Sequence, residues 1–426
     1  MPKRTLSLLN QWRSRVFAVE TGAHVDPVYF ALSETPQPSG GRDLEQLFGG
    51  GESYSLHLDM DDRIQRAMHY GDLRRHLISG LQGSAKVWDI SSFCPGMKRS
   101  VVRGFFIRDI PVSWVTEGVL QKLIRDGQVT VCRYVPAGGG HHWCQEVLSP
   151  AGDGRVSVAE QRCVVPAKSP ADHPSTLDIV NSSVFYSFQE AYKVLTECKD
   201  VVSESREVLD LVDRHLETRA KGRFPVVVIE GLDATGKTTL TQSLKEALGA
   251  VLLRSPPQCL TPWRTCFDAK PPLIRRAFYA LGNYITGREI AVASTRGPVI
   301  VDRYWHSTAA YAIATAVSGK VDNLPHPGSE LYCWPDDLLR PDLVLLLTVS
   351  AEERLRRIRG RGGEKTLEEA ELEANNLFRS KVEEAYRRME HPSCVPVDAS
   401  PPADQVLKQV LLLIKKECRL QMEPLA

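Results

Sequence analysis

The sequence lacks the signatures of several protein classes. None of its ten cysteines forms a CxxC pair, so a zinc ribbon or thioredoxin-type motif is excluded and reduced, buried thiols are expected. No apolar run approaches the roughly 20 residues that cross a bilayer, so we expect no membrane span. Lys and Arg total 53 against 52 Asp and Glu, and this balance gives no indication of nucleic acid as a partner.

The residues that come nearest to a metal constellation are Cys132, His141, His142 and Cys144, around a triple-glycine turn. Zinc sites usually show two tightly spaced ligand pairs. A loop with incidental thiols is therefore the preferred interpretation.

The start of the chain is basic. Lys3, Arg4, Arg13 and Arg15 precede the first acid, Glu20. An acid-free, Arg- and Ser-containing start is typical of a mitochondrial presequence, which predicts a targeting segment at residues 1–15 and the mitochondrial matrix as the compartment. A basic helix on a cytoplasmic protein has the same pattern, so both locations stay open.

The length of 426 residues predicts two or three domains, because a domain averages about 150 residues. The chain divides near residue 220. Residues 16–220 are irregular, with possible strands at 15–20, 101–107 and 129–135 and a helical segment at 187–220. A mixed α+β domain without a chemical motif is predicted there.

Residues 221–426 show a regular pattern. Short apolar runs at 225–230, 251–254, 298–302, 342–349 and 395–398 alternate with long amphipathic stretches. Runs that are apolar on both faces and separated by helices predict an α/β fold with a five-stranded parallel sheet and helices on both faces.

The first of these strands leads directly into a glycine-rich loop and a helix. The loop has the GxxxxGKT pattern, formed by Gly231, Leu232, Asp233, Ala234, Thr235, Gly236, Lys237 and Thr238. Backbone N–H groups and the helix N-terminus of such a loop hold phosphates. Lys237 is expected at the β- and γ-phosphates of ATP and the Thr238 hydroxyl at Mg²⁺. The structural alternative is a glycine-rich helix entry without a ligand.

The third strand ends in Asp302 and Arg303, at the sheet edge where α/β proteins bind ligands. Asp302 is a candidate Mg²⁺ ligand, directly or through water, and the planar fork of Arg303 suits a phosphate. A salt bridge from Asp302 to a neighbouring helix is the alternative.

Arginines indicate the phosphoryl acceptor. The second strand ends in Arg254 instead of a carboxylate, and Arg264 follows. A hydroxyl acceptor needs an orienting acid or base, whereas a phosphate acceptor mainly needs charge neutralisation. Arg254, Arg264 and Arg303 therefore favour a monophosphate over a nucleoside.

More arginines surround the glycine-rich turn at residues 359–363. Arginines on a mobile loop can close over transferring phosphates, so Arg359 and Arg361 are predicted as a lid pair. Arg354, Arg356 and Arg357 are expected to face solvent or to pair with Glu352 and Glu353.

The segments GLDATGKTT, DRYWHSTAAY and RIRGRGGEKT resemble the thymidylate kinase group of nucleoside monophosphate kinases, over about residues 224–420. The resemblance implies a P-loop kinase domain, ATP and Mg²⁺ as cofactors, and a homodimer. It implies Asp233 beside the transferring phosphoryl group and Arg303 on the acceptor phosphate. Lys237, Asp233, Arg303, Arg359 and Arg361 are then the catalytic candidates.

The resemblance also points to acceptor-binding residues: Arg254, Arg264, Phe278, Asn283, Tyr284, Arg303 and Tyr311. Three positions depart from the family pattern. Tyr284 follows Asn283 where thymidylate kinases have arginine, and Gln258 and Ala312 replace other expected residues. These departures argue against thymine and agree with uracil or cytosine.

The predicted function is ATP- and Mg²⁺-dependent phosphorylation of UMP, CMP or their deoxy forms, in pyrimidine nucleotide salvage. Two alternatives stay open. One is a nucleoside kinase on the same scaffold, and the other is a nucleotide-gated adaptor that binds a partner through residues 1–220.

Overall fold

The structure is a computed structural model that describes residues 12–36, 41–49, 51–58, 60–81, 83–109, 114–127, 129–137, 142–151, 155–214, 220–360 and 375–418. The chain forms two compact units. Unit 1 contains the residues up to Asp178 and the segment Val317–Asn323, and unit 2 contains Ile179–Ala316 and the residues from Leu324 onward. Most of the predicted targeting segment lies outside the described residues, as do His141 and Arg361.

Unit 1 is built on a closed, antiparallel barrel of eight strands in the order β1-β2-β8-β7-β6-β3-β5-β4. The strands are β1 (Val16–Val19), β2 (Val28–Ser33), β3 (Ser53–Leu58), β4 (Ala85–Phe93), β5 (Val102–Asp109), β6 (Val129–Ala137), β7 (His142–Pro150) and β8 (Val156–Pro166). Its helices are α1 (Arg42–Phe48), α2 (Arg63–Gly80) and α3 (Trp114–Asp126).

Aromatic side chains fill the barrel. Phe17 and Phe30 stack with centroids 4.9 Å apart, and Phe48, Phe106 and Tyr134 belong to the same buried cluster. Alternate residues of the strands point outward, where a second apolar cluster lies between the barrel and helices α2 and α3. Both faces of several strands are therefore buried.

The barrel corrects the prediction of a mixed α+β domain. Three of its eight strands were predicted near their observed positions, and five were missed. The inward positions of β3 are Ser53, Ser55 and His57, all buried, while the outward positions are apolar because they lie under helices. Apolar-in, polar-out alternation, the usual signal of a barrel strand, is inverted there.

Of the four candidate metal ligands, His141 lies outside the described residues, and Cys132 and Cys144 point to opposite sides of the barrel wall. Cys132 belongs to the interior cluster, whereas Cys144 follows the inward Trp143 and points outward. The described residues contain no group of three potential metal ligands.

Unit 2 contains a five-stranded parallel sheet in the order β10-β11-β9-β12-β13, in agreement with the prediction. Its strands are β9 (Val226–Gly231), β10 (Val251–Arg254), β11 (Val299–Asp302), β12 (Leu343–Thr348) and β13 (Val395–Asp398). Its helices are α4 (Phe188–Glu197), α5 (Glu204–Arg214), α6 (Lys237–Leu248), α7 (Arg264–Asp268), α8 (Pro272–Ala293), α9 (Trp305–Ala316), α10 (Ala351–Gly360), α11 (Asn376–Arg388) and α12 (Ala403–Cys418).

Helices cover the sheet. α6 and α12 bury Leu244 and Val410 against Ile229 and Leu345 of the strands, and α9 packs against α11. Because all five strands run in one direction, the carboxyl ends of β9, β10 and β11 meet at one edge. That edge collects the predicted site residues.

Helices α4 and α5 belong to unit 2, although the sequence boundary at residue 220 assigned them to the N-terminal domain. α4 packs against α8, and the Tyr186 hydroxyl donates to the Leu331 carbonyl at 2.7 Å. The apolar stripe of these helices is buried within unit 2. No helix in the described ranges combines the length and apolarity that crossing a bilayer requires.

The barrel interior predicts a large effect of truncating Phe17, whose ring is fully buried. Phe17→Ala should lower the free energy of unfolding by about 3–5 kcal/mol, because a cavity replaces the stacked ring. Ile78→Ala, at a residue 54% exposed on α2, is the control and should change it by less than about 0.5 kcal/mol. Urea denaturation of the full chain measures both, and equal stability of the variants would contradict a packed interior.

Candidate active site

The glycine-rich loop joins β9 to α6, as predicted. Its backbone needs glycine at two places, since φ is 141° at Gly231 and 97° at Gly236. A Cβ at Gly231 would lie 2.7 Å from the Leu347 carbonyl oxygen. The Thr235 hydroxyl donates to the Leu232 carbonyl at 2.9 Å and closes the loop from within.

Three charged side chains meet over this loop. Asp233 accepts a short hydrogen bond from Arg303 Nη2, and its Oδ1 lies 3.9 Å from Lys237 Nζ. Lys237 also donates to the carbonyls of Gly231 at 3.1 Å and Leu232 at 2.7 Å. Burial, reinforced by the Arg303 charge, lowers the pKa of Lys237 to about 7. The three catalytic candidates Lys237, Asp233 and Arg303 thus form one cluster.

A cavity of about 130 Å³ opens at this cluster. It is lined by Asp233, Ala234, Lys237, Thr238, Arg254, Ser255, Asp302 and Arg303. Cations and carboxylates both face it, which suits an anion accompanied by a metal ion.

Asp302 has one unsatisfied oxygen. Its Oδ1 is buried and has no hydrogen-bond partner in the structure. A buried carboxylate oxygen without a donor is costly, and a cation would satisfy it. Asp302 and Thr238 line the same cavity, so the donor set fits a hard divalent ion such as Mg²⁺.

Arg303 is held in an unusual backbone conformation. Its φ is 65°, and its N–H donates to the Ile229 carbonyl at 3.0 Å. The guanidinium donates to Ser307 Oγ at 3.3 Å and lies 5.9 Å from the centre of the Tyr311 ring. The predicted residues Arg303 and Tyr311 are therefore neighbours.

A buried carboxylate that sequence reasoning missed supports Arg303. Glu230, the last residue before Gly231, is fully buried. It accepts bonds from the N–H groups of Tyr304 at 2.9 Å and Ser307 at 3.2 Å, from the Ser307 hydroxyl and from the Tyr386 hydroxyl at 3.2 Å. Burial raises the pKa of Glu230, although Ser307 and Arg303 oppose the shift. A lone acid in the apolar run VVVIEG was its signal in the sequence.

Asn283 is also buried, at the wall next to the cavity. Its Oδ1 accepts from the cavity-lining Ser255 hydroxyl at 2.7 Å, and its Nδ2 donates to Thr308 Oγ1 at 3.0 Å. It links β10, α8 and α9 through hydrogen bonds.

Phe278 and Tyr284, two other predicted acceptor residues, do not line the described cavity. Phe278 is fully buried and stacks on Phe267 with centroids 4.3 Å apart. The Tyr284 hydroxyl donates to Asp337 Oδ1 at 2.5 Å, and its ring packs edge-on against Phe188. In this structure Phe278 is a core residue, and Tyr284 is half-buried in contact with Phe188 and Asp337.

The two other acceptor-side arginines differ in position. Arg254 lines the cavity from the end of β10. Arg264 does not line it, and its guanidinium lies 6.0 Å from the ring centre of Tyr279. The structure thus brings Arg254, but not Arg264, to the charged cluster.

Helix α10 contacts the phosphate loop through a different arginine from the predicted lid pair. Arg359 is exposed at the end of α10. Arg357 pairs with Glu353 at 2.7 Å and donates to the Thr235 carbonyl of the loop at 3.3 Å. Arg354, expected at the surface or paired with an acid, is only 1% exposed.

The chain is similar in sequence to known nucleotide kinases. A family model for thymidylate kinase matches residues 274–410. The chain is 46% identical over 401 residues to human mitochondrial UMP-CMP kinase 2, covering 90% of this chain and 87% of that protein. It is 31% identical over 204 residues to a thymidylate kinase of Xanthomonas oryzae pv. oryzae, covering 44% of this chain and 82% of that protein.

Among solved structures, the chain is similar to thymidylate kinase from Candida albicans. The identity is 22%, the TM-score is 0.35, and the match covers 46% of this chain and 93% of that chain.

The buried carboxylate of Glu230 predicts a stability effect. Glu230→Gln replaces one acceptor oxygen by an amide that faces hydrogen-bond donors, so the free energy of unfolding should fall by about 2 kcal/mol. Glu246→Gln, at an exposed acid on α6, is the matched control. Urea denaturation of both variants makes the comparison, and a Glu230→Gln protein as stable as the control would refute the role given to this carboxylate.

Proposed function

Since the chain belongs to the thymidylate kinase family of nucleoside monophosphate kinases, we propose that it transfers the terminal phosphoryl group of ATP to UMP, CMP and their deoxy forms. The similarity to human mitochondrial UMP-CMP kinase 2, at 46% identity, covers 90% of the chain. This similarity makes the protein a pyrimidine nucleoside monophosphate kinase. The proposal assigns the reaction to unit 2, which contains the proposed kinase domain of residues 221–426, apart from Val317–Asn323, together with helices α4 and α5.

The observation that carries this proposal is the convergence of Lys237, Asp233 and Arg303 on one cavity. Phosphoryl transfer to a phosphate requires positioning and charge neutralisation, because the acceptor oxygen is already ionised. Arg254 at the same cavity adds a further cation. We assign Arg303 and Arg254 to the acceptor phosphate and the loop to ATP.

The donor side uses the backbone. N–H groups from Gly231 to Thr238 and the N-terminus of α6 favour anions, and Lys237 supplies a movable ammonium group. Lys237 is bonded to the carbonyls of its own loop, so phosphate oxygens would replace these acceptors. Exchange of one set of acceptors for another keeps the buried ammonium group satisfied.

Mg²⁺ fits the same cavity. Thr238 and Asp302 would hold it, directly or through water, and the unpartnered Asp302 Oδ1 supports this assignment. When bound, the ion neutralises charge on the phosphate oxygens of ATP. Arg359 and Arg361 stay the proposed lid residues, with Arg361 outside the described range, while Arg357 already contacts the loop.

The remaining acceptor contacts belong to the same proposal. Asn283 and Tyr311 are assigned to acceptor binding next to the cavity, and Arg264, Phe278 and Tyr284 would join only if their surroundings rearrange on binding. We also propose that the protein is a homodimer, as the family resemblance implies. For its location we propose the mitochondrial matrix, with the cytoplasm as the alternative, because residues 1–15 are basic and free of acids and the relative is mitochondrial.

Removal of either cation should abolish turnover. Lys237→Ala and Arg303→Ala should each lower kcat/KM for CMP by about 10³-fold or more, since each removes charge stabilisation at the reacting phosphates. Arg356→Ala is the control, because Arg356 is 75% exposed and pairs with Glu353 on the surface. Coupled measurement of ADP release gives the rates, and circular dichroism checks that the variants fold. Normal activity in either variant would exclude the proposed site.

The acceptor itself can be tested with a panel of CMP, UMP, dCMP, dUMP, dTMP and cytidine. We expect ADP release with the uracil and cytosine monophosphates and little with dTMP. Turnover of cytidine in preference to CMP would indicate a nucleoside kinase. ATP consumption that does not depend on a monophosphate, or none at all, would favour a nucleotide-gated adaptor.

The lowered pKa of Lys237, about 7, predicts a pH dependence of ATP binding. Below pH 7 the side chain is already an ammonium ion, whereas above it the free protein must take up a proton to hold the phosphates. The dissociation constant of a non-hydrolysable ATP analogue should therefore rise by up to about tenfold per pH unit above pH 7.

Calorimetry in buffers of different ionisation enthalpy measures this proton uptake directly. At pH 8 the wild type should take up a proton on binding, and Lys237→Ala should not. Equal proton uptake by the two proteins would contradict the assignment to Lys237.

A further inference from the structure

Two cysteines of unit 1 lie opposite each other on neighbouring strands. Cys144 of β7 is in register with Cys163 of β8, and the neighbouring Cys163 contributes to the raised pKa of Cys144. Opposed residues of antiparallel strands have Cα atoms about 4.5–5.5 Å apart. This separation falls inside the range of about 4.4–6.8 Å that a disulfide bridges.

Both thiols are on the outer side of the barrel. Trp143 and Val164, the neighbours of Cys144 and Cys163 in sequence, belong to the interior cluster. Because side chains alternate along a strand, the two cysteines point outward together. Both are reduced in this structure.

We propose that Cys144 and Cys163 form a redox-responsive dithiol that is converted to a cross-strand disulfide by a low-molecular-weight disulfide such as oxidised glutathione. The overall reaction consumes two protein thiols and one glutathione disulfide, and yields one protein disulfide and two molecules of glutathione. The protein sulfurs are oxidised and the glutathione sulfurs are reduced, so electrons balance. This modification site belongs to unit 1, whereas the proposed kinase site belongs to unit 2.

Disulfide formation takes two thiol–disulfide exchange steps, and the exposure of each thiol decides which cysteine reacts first. Cys163 is partly exposed whereas Cys144 is buried, so the Cys163 thiolate attacks glutathione disulfide first and one glutathione thiolate leaves. Cys144 then loses its proton and attacks the Cys163 sulfur of the mixed disulfide, which releases the second glutathione. Burial, with the adjacent Cys163, raises the pKa of Cys144 to about 11, so the second step should become faster as the pH rises.

The fold favours this pair over the other cysteines. Among the strand pairings that the structure describes, Cys144 and Cys163 are the one pair of cysteines in direct register. Cys132 of β6 faces Ser55 and Val147 on its two neighbouring strands. A high effective concentration of one thiol at the other favours the disulfide against a glutathione buffer.

The experiment equilibrates the reduced full-length protein with glutathione buffers of graded redox poise. Free thiols are then alkylated and the protein is digested with trypsin without reduction. Cleavage after Arg133, Arg155, Arg162 and Lys168 separates the two cysteines into peptides 134–155 and 163–168, each with one cysteine. A disulfide-linked pair of these peptides is therefore diagnostic.

We expect the linked pair to accumulate as the buffer becomes more oxidising, with an intact mass about 2 Da lower, and to disappear on addition of dithiothreitol. In Cys144→Ser, Cys163 should stop at the mixed disulfide with glutathione. Cys94→Ser, which removes a partly exposed cysteine outside the strands, is the control and should leave the linked pair unchanged.

Two outcomes would overturn the proposal. One is full alkylation of Cys144 and Cys163 in buffers that oxidise other cysteines of the chain. The other is linkage of either residue mainly to a third cysteine. Kinase assays are not needed for this test, so its failure would leave the proposed function untouched.

Discussion

The buried carboxylate of Glu230 is the constraint on which the candidate site depends. It ends the apolar strand β9 and is followed at once by Gly231 of the phosphate loop. Its four hydrogen bonds tie this strand to the start of α9 and to Tyr386 of α11. Burial of a charge is expensive unless donors surround it, and three of the four hydrogen bonds here come from Tyr304 and Ser307, which closely follow Arg303. The hydrogen bonds of Glu230 thus fix the position of Arg303 relative to the phosphate loop.

Asp233, Arg303 and Lys237 are satisfied by one another and by carbonyls of the phosphate loop. Asp233 accepts from Arg303 and lies near Lys237, whose other partners are carbonyls of its own loop. Phosphate oxygens can replace these acceptors one for one. Binding then exchanges partners without exposing an unpaired buried charge, which would cost several kcal/mol. The same argument explains how Lys237, with its lowered pKa, can still bind ATP, because the phosphates stabilise the charged form of its side chain.

Unit 2 was predictable because its signals are local. The runs at 226–231 and 343–348 are apolar on both faces, as central parallel strands are, and the loop motif is contiguous. Unit 1 was not predictable from such signals. Strand β3 buries the polar residues Ser55 and His57 inside the barrel and its leucines beneath helices. The usual alternation of apolar inward and polar outward residues is therefore reversed in this strand. Within the site, the only sign of Glu230 in the sequence was a single acid in an apolar strand. The contact between Arg357 and the loop joins residues 122 positions apart, so no local pattern indicates it. The burial of Phe278 and the bond from Tyr284 to Asp337 depend on tertiary packing that spacing does not encode.

The barrel of unit 1 is a packed core. Its aromatic rings are joined by a chain of neutral polar groups, in which Ser55 bonds to His57 and Tyr134 at 3.0 Å, and Gln145 donates to Tyr134 at 2.9 Å. Burial, with the charge of Arg15, lowers the pKa of His57 to about 3, so this histidine is neutral at physiological pH. The buried rings and the neutral histidine make this interior a structural core, whereas the paired thiols lie on the outer side of the barrel wall.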